Sequence, residues 1–415
     1  MNRSPESPRR DAGPGQAPEG IPRPASLLPG DLAAPLTRLR RDLHAHPELS
    51  GAELRSCRTL HQALREIAGL PNDAIVKVGE TGLVARVAGR DPAAPVVALR
   101  GDIDALPIQE ETGLPYASTN AGVMHACGHD IHASWAVGAA ALLAREPAAG
   151  DVLVILQPAE ETGTGASAIL ASGALREARA IFGGHVDRRF AVGEVVADAG
   201  PLAASADTFQ IELVGRGAHA ARPHEGADPI VGAGTLITAL HSIVSRRLNP
   251  ADAGVLTIGT IHAGTAPNII PERVTLSGTL RAVSPATRAL LREELERVAA
   301  GVASAHGLHP RVTFDIGTPP LVNDPVATDW ARQAVATVLS PAALTPLGTL
   351  NLAAEDFAVY LEQLPGCFLR IGAREPGGEI VAAHSPRFAP AEECLFVGAA
   401  VLAETARVAS AALAG

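Results

Sequence analysis

From Leu32 to Ile67 apolar side chains recur at the three- and four-residue spacing of amphipathic helices. The segment HAHPELS (44–50) interrupts that spacing at Pro47, which predicts two helices joined by a turn. Beyond Ile67 the pattern changes. The runs GLVARVAG (82–89), VVALRGDID (96–104), DVLVILQ (151–157) and RAIFGGH (179–185) are short, apolar and β-branched, as expected of strands buried on both faces. Helical patterns lie between them at 132–145 (HASWAVGAAALLAR) and about 165–178, so strands alternate with helices and a mainly parallel α/β sheet is expected. Asp102, Asp104, Glu160, Glu161 and His185 all follow predicted strands. Open α/β sheets bind ligands at that carboxyl edge.

A different order occupies 207–316: strand 209–214, helix 228–247, strand 254–261, strand 273–281, helix 284–305 and strand 311–316. The β-α-β-β-α-β succession predicts a ferredoxin-like sandwich. Asp228-Pro229 and Ser284-Pro285 fix its helix starts, each pairing a capping residue with proline at the first helical position. After Pro319 the α/β pattern resumes, with a helix near 325–339, a strand at 368–372 (FLRIG) and a final helix from Ala391. The expected organisation is therefore an α/β domain in two parts, 31–206 and 317–415, interrupted by a lid at 207–316.

Composition narrows the function. A hydrophobic fraction of 47% supplies two cores, but residues 1–30 mix Pro, Gly, Ser and Arg without apolar periodicity and are expected to be a disordered leader. That leader lacks the apolar stretch of a secretory signal, and no uninterrupted apolar run elsewhere is long enough to span a bilayer, so a cytoplasmic location is the expectation. A net charge of −10 argues against nucleic acid and anionic membranes as partners. The four cysteines (57, 127, 367, 394) have no paired spacing, which argues against a disulfide framework. Lys77, the one lysine, lies in a strand-like run and not in a glycine-rich loop, which argues against a Walker-type phosphate site.

The densest chemistry is MHACGHDIH (124–132). Cys127 and His129, separated by Gly128, can turn to one point, and thiolate and imidazole both suit zinc-like metals. Two other readings stand beside this one: a helix N-terminus capped by Asp130 or His132, and a cysteine nucleophile paired with histidine. In QPAEE (157–161) two carboxylates end an apolar strand and would repel each other without a cation between them. One can ligate a metal while its neighbour takes a proton from water, although a solvated glutamate pair is also common. His185 and His384 are ambiguous alone, since single histidines of this kind are often core residues.

Together, HAHPELS, LRGDIDALPIQEETGLPYAS, GVMHACGHDIHA, ILQPAEE, IFGGHV, GRGAHAARPHEGADPI, GTIHAGTAPNIIPERVTLSGTLR, EDFAVY and AHSPRF resemble, in order, the motifs of one family. It is the hippurate hydrolase and indoleacetyl-amino-acid hydrolase branch of the aminoacylase/carboxypeptidase metallohydrolases, and the resemblance covers about 32–405. It implies an α/β catalytic domain with a dimerising lid, and two divalent metal ions held by Cys127, His129, Glu161, His185 and His384. Zinc suits this mixed ligand set best, with manganese, cobalt or nickel as alternatives. Cys127 would bridge the ions as a thiolate, Glu160 would be the general base, and Asp104, rather than Asp102, would orient a ligand histidine.

The resemblance further implies that His219 stabilises the oxyanion, often across a homodimer, while Arg281 and Asn268 clamp a substrate carboxylate. The implied substrate is an N-acyl amino acid or a short peptide, cleaved at its amide bond. A dipeptidase or carboxypeptidase on the same site, and a metal-binding protein without turnover, are the alternatives; the presence of Glu160 argues against the last. Two departures bear on substrate choice. Ile131 stands where relatives commonly have Gly, and Leu352-Ala353-Ala354 replaces a Met-Gly approach to EDF.

Overall fold

The computed structural model describes residues 21–350 and 352–415. Of the expected leader, residues 1–20 lie outside the described chain. Residues 21–30 pack: Pro24–Ser26 form a 3-10 turn, and Leu28 is buried in the core with Ile21 and Leu27 against it, because IPRPASLLPG carries enough apolar surface to dock. The chain falls into two compact units. One takes the residues up to Asp198 with Asp324–Leu347 and Leu364–Gly415; the other is Ala199–Asn323 with Gly348–Gln363.

The first unit opens with β1 (Ile75–Val78), β2 (Gly82–Val87), β3 (Val96–Asp102), β4 (Val152–Gln157), β5 (Ala178–Ala191) and β6 (Val195–Val196). The second carries β7 (Gly200–Ala203), β8 (Asp207–Val214), β9 (Ala218–His219), β10 (Gly254–Ala263), β11 (Ile269–Ile270), β12 (Arg273–Ala282), β13 (His309–Asp315) and β14 (Leu321–Asn323). β15 (Gly366–Arg374) returns to the first unit. There the seven-stranded sheet has the order β1-β2-β4-β3-β5-β15-β6. Its centre, β4-β3-β5-β15, is parallel, as the alternation of strands and helices predicts. The pairs β1/β2, β2/β4 and β15/β6 are antiparallel, which the sequence pattern does not reveal.

Helices α1 (Ala33–Ala45), α2 (Leu54–Glu66), α3 (His129–Arg145) and α4 (Gly165–Ala171) belong to this unit. α3 begins three residues earlier than expected, directly after Gly128, whose φ of +87° suits glycine and whose Cβ would sit 2.5 Å from Val186 Cγ2. α4 is shorter than the predicted 165–178, because Gly173 at φ +75° turns the chain toward β5.

The second unit's main sheet, β10-β12-β8-β13, is wholly antiparallel and is accompanied by α5 (Pro229–Arg246) and α6 (Pro285–Ala305), the ferredoxin-like arrangement. Both predicted caps form: the Asp228 carboxylate accepts the Ile230 N–H, and Ser284 Oγ accepts the Thr287 N–H. Phe209, Ile211 and Leu213 alternate inward from β8 onto Leu236, Leu240, Leu291 and Leu295. The unit starts at Ala199 because β7 pairs with β14 rather than with the large sheet.

α7 (Pro325–Val338) packs in the first unit, α8 (Phe357–Leu361) in the second, and α9 (Cys394–Ala414) closes the first. α9 is long and apolar enough to cross a membrane by composition, but most of it is buried against α3 and α7. Gly398 permits that packing, since a Cβ there would meet the Trp135 ring at 2.1 Å.

Candidate metal centre

The carboxyl ends of β3 and β4, the middle of β5, the start of α3 and the loop before α9 present the site's side chains. Asp102 ends β3 and Asp104 follows it, Glu160 and Glu161 lie in the turn after β4, and His185 projects from within β5. Cys127 is buried with its Sγ 3.2 Å from His185 Nε2. Ligating atoms of Cys127, His129 and His185 lie within 4.8 Å of one another, and so do those of Cys127, Glu161 and His384. Two three-residue groups thus share one sulfur. The predicted Cys127, His129, Glu161, His185 and His384 come together, with Glu160 Oε2 4.0 Å from His129 Nε2.

Hydrogen bonds fix which histidine nitrogens face inward. His185 Nδ1 donates to the Val186 carbonyl at 2.7 Å, leaving the Nε2 lone pair toward Cys127. His129 Nδ1 lies 3.1 Å from Asp104 Oδ1 and donates to it, which leaves Nε2 buried and without a hydrogen-bond partner. Asp104 does more, since its Oδ2 accepts the Glu161 N–H at 3.0 Å and the Ser50 hydroxyl at 2.7 Å. His132, which also lies near His129, is fully engaged: Nδ1 donates to Asp102 Oδ1 at 2.7 Å and Nε2 accepts the Val186 N–H at 3.0 Å. Neither nitrogen is left for a ligand. Asp102 is held in turn by Arg100.

Asp130 does not cap α3, because that helix already begins at His129. Its carboxylate is buried against Arg40 Nε at 2.8 Å and His44 Nδ1 at 2.9 Å. The cysteine-nucleophile reading also meets an obstacle. Burial pushes the Cys127 thiol up to about 12, far from the thiolate that a nucleophile needs, unless cations counter the burial. Burial likewise holds His185 well below the ordinary imidazole range, so it is a neutral donor.

These features fit divalent ions. The buried His129 Nε2 makes no hydrogen bond, and neither does Glu161 Oε1, which lies 3.8 Å from it and 3.5 Å from His384 Nε2. Orphaned polar atoms in a buried site are costly, and a cation at the centre of this mixed sulfur, nitrogen and oxygen set satisfies them. Two non-glycine residues of the described chain have positive φ, Ala159 (+54°) and His384 (+67°), and both border the cluster.

The remaining predicted residues belong to the second unit. His219 is exposed on β9, opposite Ile269 of β11, and its Nδ1 accepts the Ala221 N–H at 3.0 Å. Asn268 is exposed beside it, with its carbonyl accepting the Ala220 N–H. Arg281 stands on β12 opposite Val255. One residue escaped the sequence reading: Glu53, fully buried, accepts the Ala159 N–H at 2.8 Å. Its position nine residues after His44 carries no motif signal.

Comparison with known proteins gives concordant results. A profile described as Peptidase family M20/M25/M40 matches residues 98–408. N-acetyl-L-cysteine deacetylase of Bacillus subtilis is 42% identical over 343 residues, covering 81% of this chain and 80% of the relative. The Arabidopsis thaliana IAA-amino acid hydrolase ILR1-like 2 is 34% identical, covering 89% and 84%. A Bacillus subtilis crystal structure described as a dinuclear metal binding peptidase from the M20 family aligns with a TM-score of 0.81 at 35% identity, over 92% of this chain and 99% of that one.

Proposed function

The chain belongs to the peptidase family M20/M25/M40, and on that premise we propose that it cleaves the amide bond of N-acyl amino acids, hippurate-like conjugates included, to release a carboxylic acid and an amino acid. Membership makes it an amide-bond hydrolase that takes two divalent metal ions. The observation that carries the hydrolytic reading is the pair of ligand groups sharing Cys127, with Glu160 beside them. One group, Cys127, His129 and His185, would hold the first ion; the other, Cys127, Glu161 and His384, the second. Bound there, the ions supply positive charge that acidifies water, polarises the amide carbonyl and keeps Cys127 a thiolate.

The chain's own residues do the rest. Glu160 takes a proton from the attacking water and delivers it to the leaving amine. Asp104 keeps His129 in one tautomer and ties down the Glu161 backbone. In the second unit we assign His219 to the developing oxyanion, and Asn268 with Arg281 to the substrate's free carboxylate. The substrate class draws support from relatives named for N-acetyl-L-cysteine and for IAA-amino acid.

Glu160→Gln tests the reading on a panel of N-benzoyl and N-acetyl amino acids and dipeptides. It is expected to lower kcat by roughly 10²- to 10⁴-fold while both metals stay bound; undiminished hydrolysis would remove Glu160 as base. Wild-type turnover confined to dipeptides would replace the N-acyl reading with a dipeptidase. A homodimer through the second unit is also proposed, because β10 is an edge strand exposed along its second half and Ile230, Val231 and Ile261 are exposed on that unit. Sedimentation equilibrium should give twice the chain mass, and a single-chain mass at micromolar concentration refutes the dimer.

A further inference from the structure

The turn that carries Glu160 and Glu161 rests on the segment HAHPELSGAEL. Leu49 bridges to Ala105, Ser50 reaches Asp104, and Glu53 reaches Ala159, so three contacts from one short stretch meet the loops after β3 and β4. Glu53 is the unusual member. It is 0% exposed and forms no ion pair among the described residues; its Oε1 accepts the Ala159 N–H, and its Oε2 is buried without a hydrogen-bond partner. A buried carboxyl group without a cation is unfavourable, so its presence calls for a task.

Ala159 supplies the task. At φ +54° it occupies the left-handed region, where Cβ crowds the following carbonyl oxygen, and a neighbouring contact must hold it there. Its carbonyl is held by the Gly165 N–H at 3.1 Å and the Thr162 hydroxyl at 3.3 Å, while its N–H goes to Glu53 Oε1 at 2.8 Å. Glu160 is the next residue. Rotation of Ala159 toward negative φ would swing Glu160 away, whereas Glu161 has a separate tether at its own N–H on Asp104 Oδ2.

We propose that Glu53 is a positioning residue for hydrolysis: by accepting the Ala159 N–H it keeps Ala159 left-handed and so aims the Glu160 carboxylate. The inference rests on Glu160 being the base. A residue that merely fills the space beneath the turn would affect stability alone; one that aims the base affects kcat and leaves KM and metal content intact.

The test compares purified, metal-loaded variants for kcat, KM, metals per chain and Tm with an N-acyl amino acid that the wild type cleaves. Glu53→Met removes the acceptor and is expected to lower kcat roughly 10- to 100-fold, with KM within about twofold and two metals per chain. Glu53→Gln restores an uncharged acceptor of equal size and should return kcat to within about threefold of wild type. Ala159→Val, which disfavours the left-handed region with Glu53 untouched, should lower kcat in the same way and keeps the test decisive if Glu53→Met does not fold.

Wild-type kcat in folded Glu53→Met or in Ala159→Val overturns the inference. So does a Gln variant as impaired as Met. Glu160→Gln assayed in parallel separates the two failures. If it is inactive while Glu53→Met is normal, only the positioning role falls; if it remains fully active, the base assignment falls and this inference with it.

Discussion

Asp104 binds three partners with two oxygens: the His129 ring through Oδ1, and the Glu161 N–H and the Ser50 hydroxyl through Oδ2. In Asp104→Asn the amide nitrogen faces either the Glu161 N–H or, if flipped, the His129 Nδ1–H, so one of the two tethers is lost in either orientation. Metal affinity should fall roughly 10- to 100-fold in titrations against a chelator-buffered zinc series; unchanged affinity would contradict Asp104's orienting role. The sequence made the candidate ligands legible only together, because the cysteine-histidine loop, the paired carboxylates and the two later histidines are each ambiguous alone. It did not separate Asp104 from Asp102 except by resemblance. The structure shows the difference: one faces His129, and the other is spent on His132 and Arg100. Glu53 was invisible for a related reason, since its partner is a main-chain N–H, and main-chain hydrogen bonds leave no residue-type signature.

At the scale of elements, a buried polar cluster joins α1, the loop after β3 and the first turn of α3 through His44, Glu110 and Asp130. Burial works against ionisation of Glu110, but hydrogen bonds from His44, Thr112 and the Ser118 N–H hold its pKa down to about 2. Burial also opposes the His44 imidazolium, and Asp130 and Glu110 outweigh it, so His44 is raised above its ordinary value. The depressed carboxylate contributes stability that is fully present above its unfolded pKa, near 4.5, and lost as pH falls toward 2. The raised histidine contributes below its unfolded pKa of about 6.5, and that part is lost as pH rises through its folded value.

Glu110→Gln should therefore destabilise the protein by on the order of 1–2 kcal/mol at pH 6, with the gap to wild type closing between about pH 4.5 and 2. Denaturant unfolding across that range checks it, and a gap independent of pH would contradict the ion-pair account. Elements with strong periodicity were legible, as with the two lid helices started by Asp-Pro and Ser-Pro. The end of α4 was not, because the composition of 165–178 favours helix while a single backbone angle at Gly173 ends it.

Over the whole molecule, the switch from strand-helix alternation to β-α-β-β-α-β marked an inserted unit and gave its class correctly. Both main sheets were expected and both are present, but edge pairing was not legible: the β1/β2 hairpin and the antiparallel β6 depend on tertiary partners that short strands do not encode. Substrate choice was equally out of reach, since it depends on pocket shape rather than on ligand chemistry.

The central claim, that one cysteine is shared by two metal positions, is tested most directly by anomalous X-ray scattering at the zinc edge from zinc-loaded crystals. The account predicts two peaks within bonding distance of Cys127 Sγ, one also contacting His129 and His185 and the other Glu161 and His384. A single peak, or two peaks that do not share Cys127, would contradict it.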